Sequence, residues 1–504
     1  MSAANMPQTS IDSGKNLWTH ARAIDNVIFA FLALFAIALP FSIKGAERAW
    51  KIALILWLLK LAIDRVRPFR QPLAAPLLAF VVLSALSTLL SPDPYLSWDR
   101  MKFVCLVLAG IVVAQNVKRL SQVRWLVVLF VLSGFTASLF TAWQYTYGVG
   151  VQLQQFPPSS RLVQVGFHIN DIVTSVGGRS VHTPEQLIEA VRHLPVQAKV
   201  PVKYLPAMAT QSNTIVATAD DFLRSGLDTP DIRMKRGVPS RAQGTLGHYI
   251  VFAEMLMQIG CMAWALMVAC SRERGWPILF GLAFVGVTTA LMMTGTRAAM
   301  AGLVIACTLS LLLLSTGWLR WTLIGMLFVI VAGATLWIQH SRGAQWADHD
   351  DAGTHFRVLM WQDGIRLVRE HPWFGVGMDT VRAHWQEWNI RGFIQYHVQS
   401  HFHSTYLQIA VERGIPALLA WVWFCVAYLA FLVRLFRRLR TEDRFAAGVV
   451  TGICAGFVAF AFTSLFHYNL GEEPVAMALF FLYGLAVALD RVTEAVNGIK
   501  VPMS

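Results

Sequence analysis

Runs of about twenty apolar residues recur along most of this chain, and no other feature restricts its folding as strongly. They lie near 24–41, 47–64, 73–91, 99–117, 122–146, 244–270, 276–294, 296–316, 320–338, 414–434, 445–466 and 473–490. Backbone placed in hydrocarbon must satisfy its own hydrogen bonds, so each run is expected to cross a membrane as a helix. With 56% of its 504 residues hydrophobic and 14% charged, the chain is neither a soluble globular protein nor a disordered one. The expected fold class is an α-helical polytopic integral membrane protein with about twelve transmembrane helices.

The formal charge of +13 names no partner by itself, because basic residues in such a chain first report topology and lipid contact. No nucleic-acid partner is expected. Arg65, Arg67 and Arg70, then Lys118, Arg119 and Arg124, then Arg272 and Arg274, then Arg320, then the group from Arg434 to Arg444 fall on alternate connections. The positive-inside rule puts those loops and both termini in the cytoplasm. The polar leader holding Lys15 and Arg22 has no small-residue cleavage site after it, so the first run reads as a retained span. All six cysteines sit in or beside apolar runs, which argues against an exterior disulfide framework or thiolate zinc site.

Five regions follow: an N-terminal helical part at 1–146, an exterior segment at 147–243, four helices at 244–338, a second exterior segment at 339–413 and three helices at 414–504. In the first exterior segment Leu162 to Val165 and Asp171 to Val176 read as strands, Gly177-Gly178 as a turn, and Thr183-Pro184-Glu185-Gln186 as a helix start. A helix through Leu187, Ile188, Val191 and Leu194 and a strand through Val200, Val202 and Tyr204 complete a small α+β module near 160–206. Gly166 to Tyr204 resembles the C-terminal half of a PDZ-like domain, with Asn170 where a glycine is usual. It lacks a glycine-rich carboxylate loop, which favours packing or docking, for instance of a polysaccharide-assembly protein, over peptide capture.

The second exterior segment differs in kind. From His340 to Arg413 it holds eight of the fourteen histidines, seven arginines, five tryptophans and no lysine. Arginine suits multidentate recognition of phosphate or carboxylate, and tryptophan suits sugar faces and membrane interfaces. Val358, Trp361, Ile365 and Val368 recur at helical spacing, which predicts an amphipathic helix against the membrane or other helices. Asp348-His349-Asp350-Asp351 with His355 offers metal-type ligands but no fixed ligand spacing, and reads better as a solvated acidic turn. No metal is expected. At the other exterior mouth Thr294-Gly295-Thr296-Arg297 joins two helices tightly, so Arg297 either snorkels to lipid phosphate or faces a ligand.

His403 and Ser404, then nine residues, then Gly414, resembles the signature of the O-antigen ligase and polymerase superfamily. Thr296 to Ala299, Arg357 to Trp361 continuing to Pro372–Gly377, and Arg241 to Leu246 agree with the same superfamily, covering roughly 240–470. The resemblance implies a glycosyltransferase-C-like fold in the bacterial inner membrane. It also implies transfer of a glycan from undecaprenyl pyrophosphate to an acceptor hydroxyl at the periplasmic face, with inversion and without metal or cofactor. His403 is then the general base or acceptor-positioning group. Arg241, Arg297 and Arg357 are diphosphate contacts, with Arg297 counted as catalytic, and His401, Ser404 and Tyr406 are candidate substrate contacts. The reading favoured is an O-antigen ligase acting on a lipid A-core sugar. An O-antigen polymerase, a protein O-oligosaccharyltransferase and, from another class, a lipid-linked glycan transporter remain as alternatives.

Overall fold

The computed structural model describes residues 9–64, 68, 70–195, 198–206, 213–223, 231–239, 241–342, 352–396 and 399–499. It is a polytopic membrane protein, mostly helical, with one small α+β insert. Seven described helices are long and apolar enough to cross a membrane: Leu120–Tyr147, Tyr249–Ala269, Trp276–Thr294, Arg297–Leu314, Thr405–Leu439, Arg444–Thr463 and Glu473–Ala495. Shorter apolar helices at Ala23–Ala38, Ala74–Leu89 and Arg320–Val329 occupy three more of the expected runs.

The last two runs depart from expectation. The helix Ile43–Asp64 is long enough, but Lys44, Glu47, Arg48, Lys51 and Lys60 make it more polar than the seven spanning helices. The run at 99–117 is two helices, Pro94–Val104 and Val107–Asn116, parted at Cys105 and Leu106. The first begins before the apolar run because Asp93 caps it, accepting from the Leu96 backbone N–H at 3.0 Å, with Pro94 preset for the first helical position.

Residue contacts divide the chain into two compact units. One comprises Met1–Ser133, Met257–Phe284 and Ala298–Ser504; the other comprises Gly134–Leu256 and Val285–Arg297. The second unit carries the insert, an antiparallel sheet of β1 (Gly150–Gln155), β2 (Ile172–Val176), β3 (Arg179–Ser180), β4 (Val200–Leu205), β5 (Asn213–Ala217) and β6 (Arg233–Gly237). Its order is β5-β4-β2-β1-β6, with β3 hairpinned onto β2. The helix Pro184–Arg192 closes the core with Leu187 and Val191 against Val173, Val176 and Val202. Thr183 caps that helix by accepting from the Gln186 N–H at 3.3 Å, while the Gln186 side chain accepts from the His182 N–H at 2.9 Å.

Two details of the insert correct the sequence reading. Leu162 to Val165 is not a strand but part of a short helix, Arg161–Val165, capped by Ser160 and ended by Gly166 in the left-handed region. The sheet also takes in β1, β5 and β6, beyond 160–206. Asn170 has φ +72°, so the asparagine adopts the backbone conformation in which a glycine is usual.

In the first unit the segment around Ala352 to Val411 has its own core. Met360, Leu367, Val376, Phe393, Phe402 and Val411 are buried together. The helix Ala352–Glu370 faces this core with Met360, Gly364 and Leu367, whereas Val358 and Ile365 of the expected stripe are 41% and 47% exposed. Val368 of the stripe packs on this core, and the buried face also accepts a charged residue. Asp363, 1% exposed, takes hydrogen bonds from the Arg391 backbone N–H and Nε, each at 2.8 Å. Asp348 to Asp351 lie outside the described residues. No group of three or more His, Cys, Asp or Glu among the described residues is placed to hold a metal ion.

Candidate active site

The His403 loop is built by its neighbours on both sides. Phe402 is inserted in the exterior core and its backbone N–H donates to Gln408 Oε1 at 2.8 Å. Ser404, in extended conformation, caps the helix that follows by accepting from the Leu407 N–H at 3.4 Å. His403 between them has φ +50°, a left-handed conformation that costs a non-glycine residue energy and is held only where the surroundings enforce it.

A further layer fixes this loop. The Thr405 backbone N–H donates to the carbonyls of Ser464 and His467 at 2.8 and 3.0 Å. Thr405 Oγ1 lies 2.8 Å from Asn469 Oδ1, and Asn469 Nδ2 donates to the Phe460 carbonyl at 3.1 Å and to Thr463 Oγ1 at 3.0 Å. Asn469 is 1% exposed, so the turn from His467 onward supports the histidine loop from within.

The Gly414 end of the motif has a steric cause. The nine residues Thr405 to Arg413 make about two and a half helical turns, after which Gly414 breaks the helix at φ +82°, ψ +170°. A Cβ on Gly414 would lie 2.2 Å from the Trp373 carbonyl oxygen, and one on Gly375 would lie 2.4 Å from the Val411 carbonyl oxygen. Only glycines let the strap Pro372–Gly377 run against this kink. Val376 N–H donates to Val411 O, Gly377 N–H to Glu412 O and Ile415 N–H to Pro372 O, at 2.8 to 2.9 Å.

His403 is half-buried, and its Nε2 is enclosed with no hydrogen-bond partner among the described residues. Its ring meets Phe356 edge-on at 5.5 Å and His401 at 4.5 Å between centroids. Burial above all, then the fields of His401, Arg357 and His467, hold its pKa down at about 2. The imidazole is therefore neutral at physiological pH, with one nitrogen desolvated. His401 is placed differently: its Nδ1 accepts the His403 backbone N–H at 3.1 Å.

The remaining candidates separate. Arg357 is half-buried, one residue from Phe356, and its positive field reaches His403. Ser404 is 8% exposed and its hydroxyl serves the helix cap. Tyr406 donates its hydroxyl to the Ala461 carbonyl at 3.0 Å, which ties it to the helix Arg444–Thr463.

Arg241 and Arg297 belong to the second unit, where the backbone brings their segments together. The Ala242 N–H donates to the Met293 carbonyl at 3.0 Å, and Tyr145 Oη reaches the same carbonyl at 3.3 Å. Thr294 Oγ1 accepts from the Thr296 N–H at 3.2 Å within a turn whose Gly295 has φ +66°, and Arg297 opens the next helix. Both guanidinium side chains are exposed. A helix N-terminus with its free N–H groups favours an anion, and an arginine there adds a planar donor fork.

Sequence reasoning passed over Asn469, Gln408 and Tyr249. Asn469 and Gln408 carry no motif and act through long-range contacts. Tyr249 could have been noticed only from its place eight residues after Arg241. No curated protein gives a sequence match to this chain. Residues 282–422 match the family model described as O-antigen ligase. That match spans Arg297, Arg357, His401, His403 and Gly414, so this segment of the chain is similar to the O-antigen ligase family.

Proposed function

We propose that the protein is an O-antigen ligase. It transfers glycan from undecaprenyl pyrophosphate to a lipid A-core sugar hydroxyl at the periplasmic face of the inner membrane, with inversion, both termini being cytoplasmic. The observation that carries this reading is His403: a strained backbone, a neutral imidazole and an enclosed, unpartnered Nε2 within the family-matching segment.

In the proposed step the acceptor oxygen attacks the anomeric carbon while the bond from that carbon to the diphosphate oxygen breaks. The acceptor proton passes to His403 Nε2, and the electron pair leaves on undecaprenyl diphosphate. Arg241, Arg297 and Arg357 offset the charge that grows on the leaving group. An imidazole held at about pKa 2 is a weak base. The bound diphosphate cancels part of the Arg357 field, so His403 gains basicity when donor is present.

Purified protein with lipid-linked donor and lipid A-core acceptor tests this. His403→Ala is expected to lose about 10²- to 10⁴-fold in turnover, and added chelator is expected to change nothing. A deletion strain is expected to retain long glycan on undecaprenyl pyrophosphate and to make bare core lipopolysaccharide. Single repeats on the core would instead indicate a polymerase, and donor trapped in the cytoplasmic leaflet a transporter.

A further inference from the structure

We infer that Tyr249 is a positioning residue that holds the Arg241 guanidinium ready for a diphosphate, an inference that rests on the reading of Arg241 as a diphosphate contact. Arg241 is exposed, yet its Cζ lies 4.7 Å from the centroid of the Tyr249 ring. It makes no hydrogen bond or ion pair among the described residues, so its donors are uncommitted. The ring beneath it is itself supported. His248 lies parallel to Tyr249 within 8°, with centroids 5.5 Å apart.

The intervening chain explains how a pair eight residues apart comes to stack. Gly244 and Gly247 have φ +55° and +72°, folding Arg241 to Tyr249 into a compact turn before the helix Tyr249–Ala269. The Ala242 N–H bond to Met293 anchors the arginine end of that turn to the segment leading to Arg297. A flexible exposed arginine must give up side-chain freedom when it binds an anion. Stacking against an aromatic face removes much of that freedom beforehand and leaves the planar N–H fork open. A lysine at 241 would share the charge but not the stacked fork.

The test uses the full-length protein in nanodiscs, with inorganic pyrophosphate titrated by calorimetry and turnover measured on lipid-linked donor. Tyr249→Phe keeps a ring and is expected to bind pyrophosphate as the native protein does. Tyr249→Leu is expected to bind about 3- to 30-fold more weakly, the range for a cation–π contact from exposed to desolvated, with kcat/KM falling in step. In combination with Arg241→Gln, Tyr249→Leu is expected to add nothing, because the tyrosine acts through the arginine.

A series of increasingly fluorinated phenylalanines at 249 keeps the ring's shape while weakening its negative face, and affinity is expected to decline along the series. That series decides the matter even where the leucine variant does not fold. A flat series, or an additive double variant, overturns the positioning role while leaving Arg241 as a diphosphate contact. If Arg241→Gln itself binds pyrophosphate as the native protein does, the diphosphate reading of Arg241 is wrong and this inference falls with it.

Discussion

At the scale of single residues, a histidine held neutral in the folded protein makes stability depend on acidity in a definite direction. The pKa of His403 is about 2 in the folded chain, against the ordinary value near 6.5 expected once unfolded. Between those values the unfolded chain binds the extra proton, so stability rises with pH across this window and levels off above it. Acidifying from pH 7.5 to pH 5 is therefore expected to lower the melting temperature of the native protein more than that of His403→Phe. Equal slopes for the two would contradict the burial of a neutral imidazole. Gly414 supplies a second prediction at this scale. Gly414→Ala places a methyl group 2.2 Å from the Trp373 carbonyl at a left-handed φ, and is expected to lower melting temperature and activity together.

These residues also show what a sequence makes legible. The spacing from His403 to Gly414 is visible because it is local, one short helix between a strained loop and a kink. Asn469 carries no local motif, because its meaning lies in bonds to Thr405 and Thr463 made in three dimensions. Tyr249 was missed for a related reason, since nothing in its type announces an arginine stacked on its face.

At the scale of elements, length decided which readings succeeded. Long apolar runs give helices because the backbone has no other way to satisfy itself in lipid. Arg161–Val165 is only five residues long, and its β-branched content suggested a strand, but the Ser160 cap and the Gly166 stop prevailed. On the helix Ala352–Glu370 the stripe residue Val368 packs on the core, while Asp363, absent from the stripe, is buried on its bonds from Arg391. Asp363→Leu with Arg391 retained is expected to destabilise this segment by about 1–3 kcal/mol, since it removes the charged acceptor of the Arg391 backbone N–H and Nε. Ser404→Ala is expected to cost about 1 kcal/mol through the lost helix cap and to reduce turnover far less than His403→Ala. Thermal melting and single-turnover rates, measured side by side, check both.

At the scale of the whole molecule, the positive charge falls into two populations. Arginines on short connections between apolar helices set the proposed orientation, and the lysine-free segment from His340 to Arg413 carries the histidines. Impermeant maleimide is expected to label Glu387→Cys in intact spheroplasts and Arg440→Cys only after lysis. The reverse pattern would invert the proposed topology. The basic excess is thus read as a topology signal on one side and a polyanion-reading surface on the other.

The central claim is that the neutral, enclosed imidazole of His403 accepts the proton in glycan transfer. Turnover of lipid-linked donor onto lipid A-core by His403→Ala, compared with His401→Ala in the same preparation, tests it most directly. A loss of about 10²- to 10⁴-fold is expected for His403→Ala and a much smaller loss for His401→Ala. Full turnover by His403→Ala would contradict it.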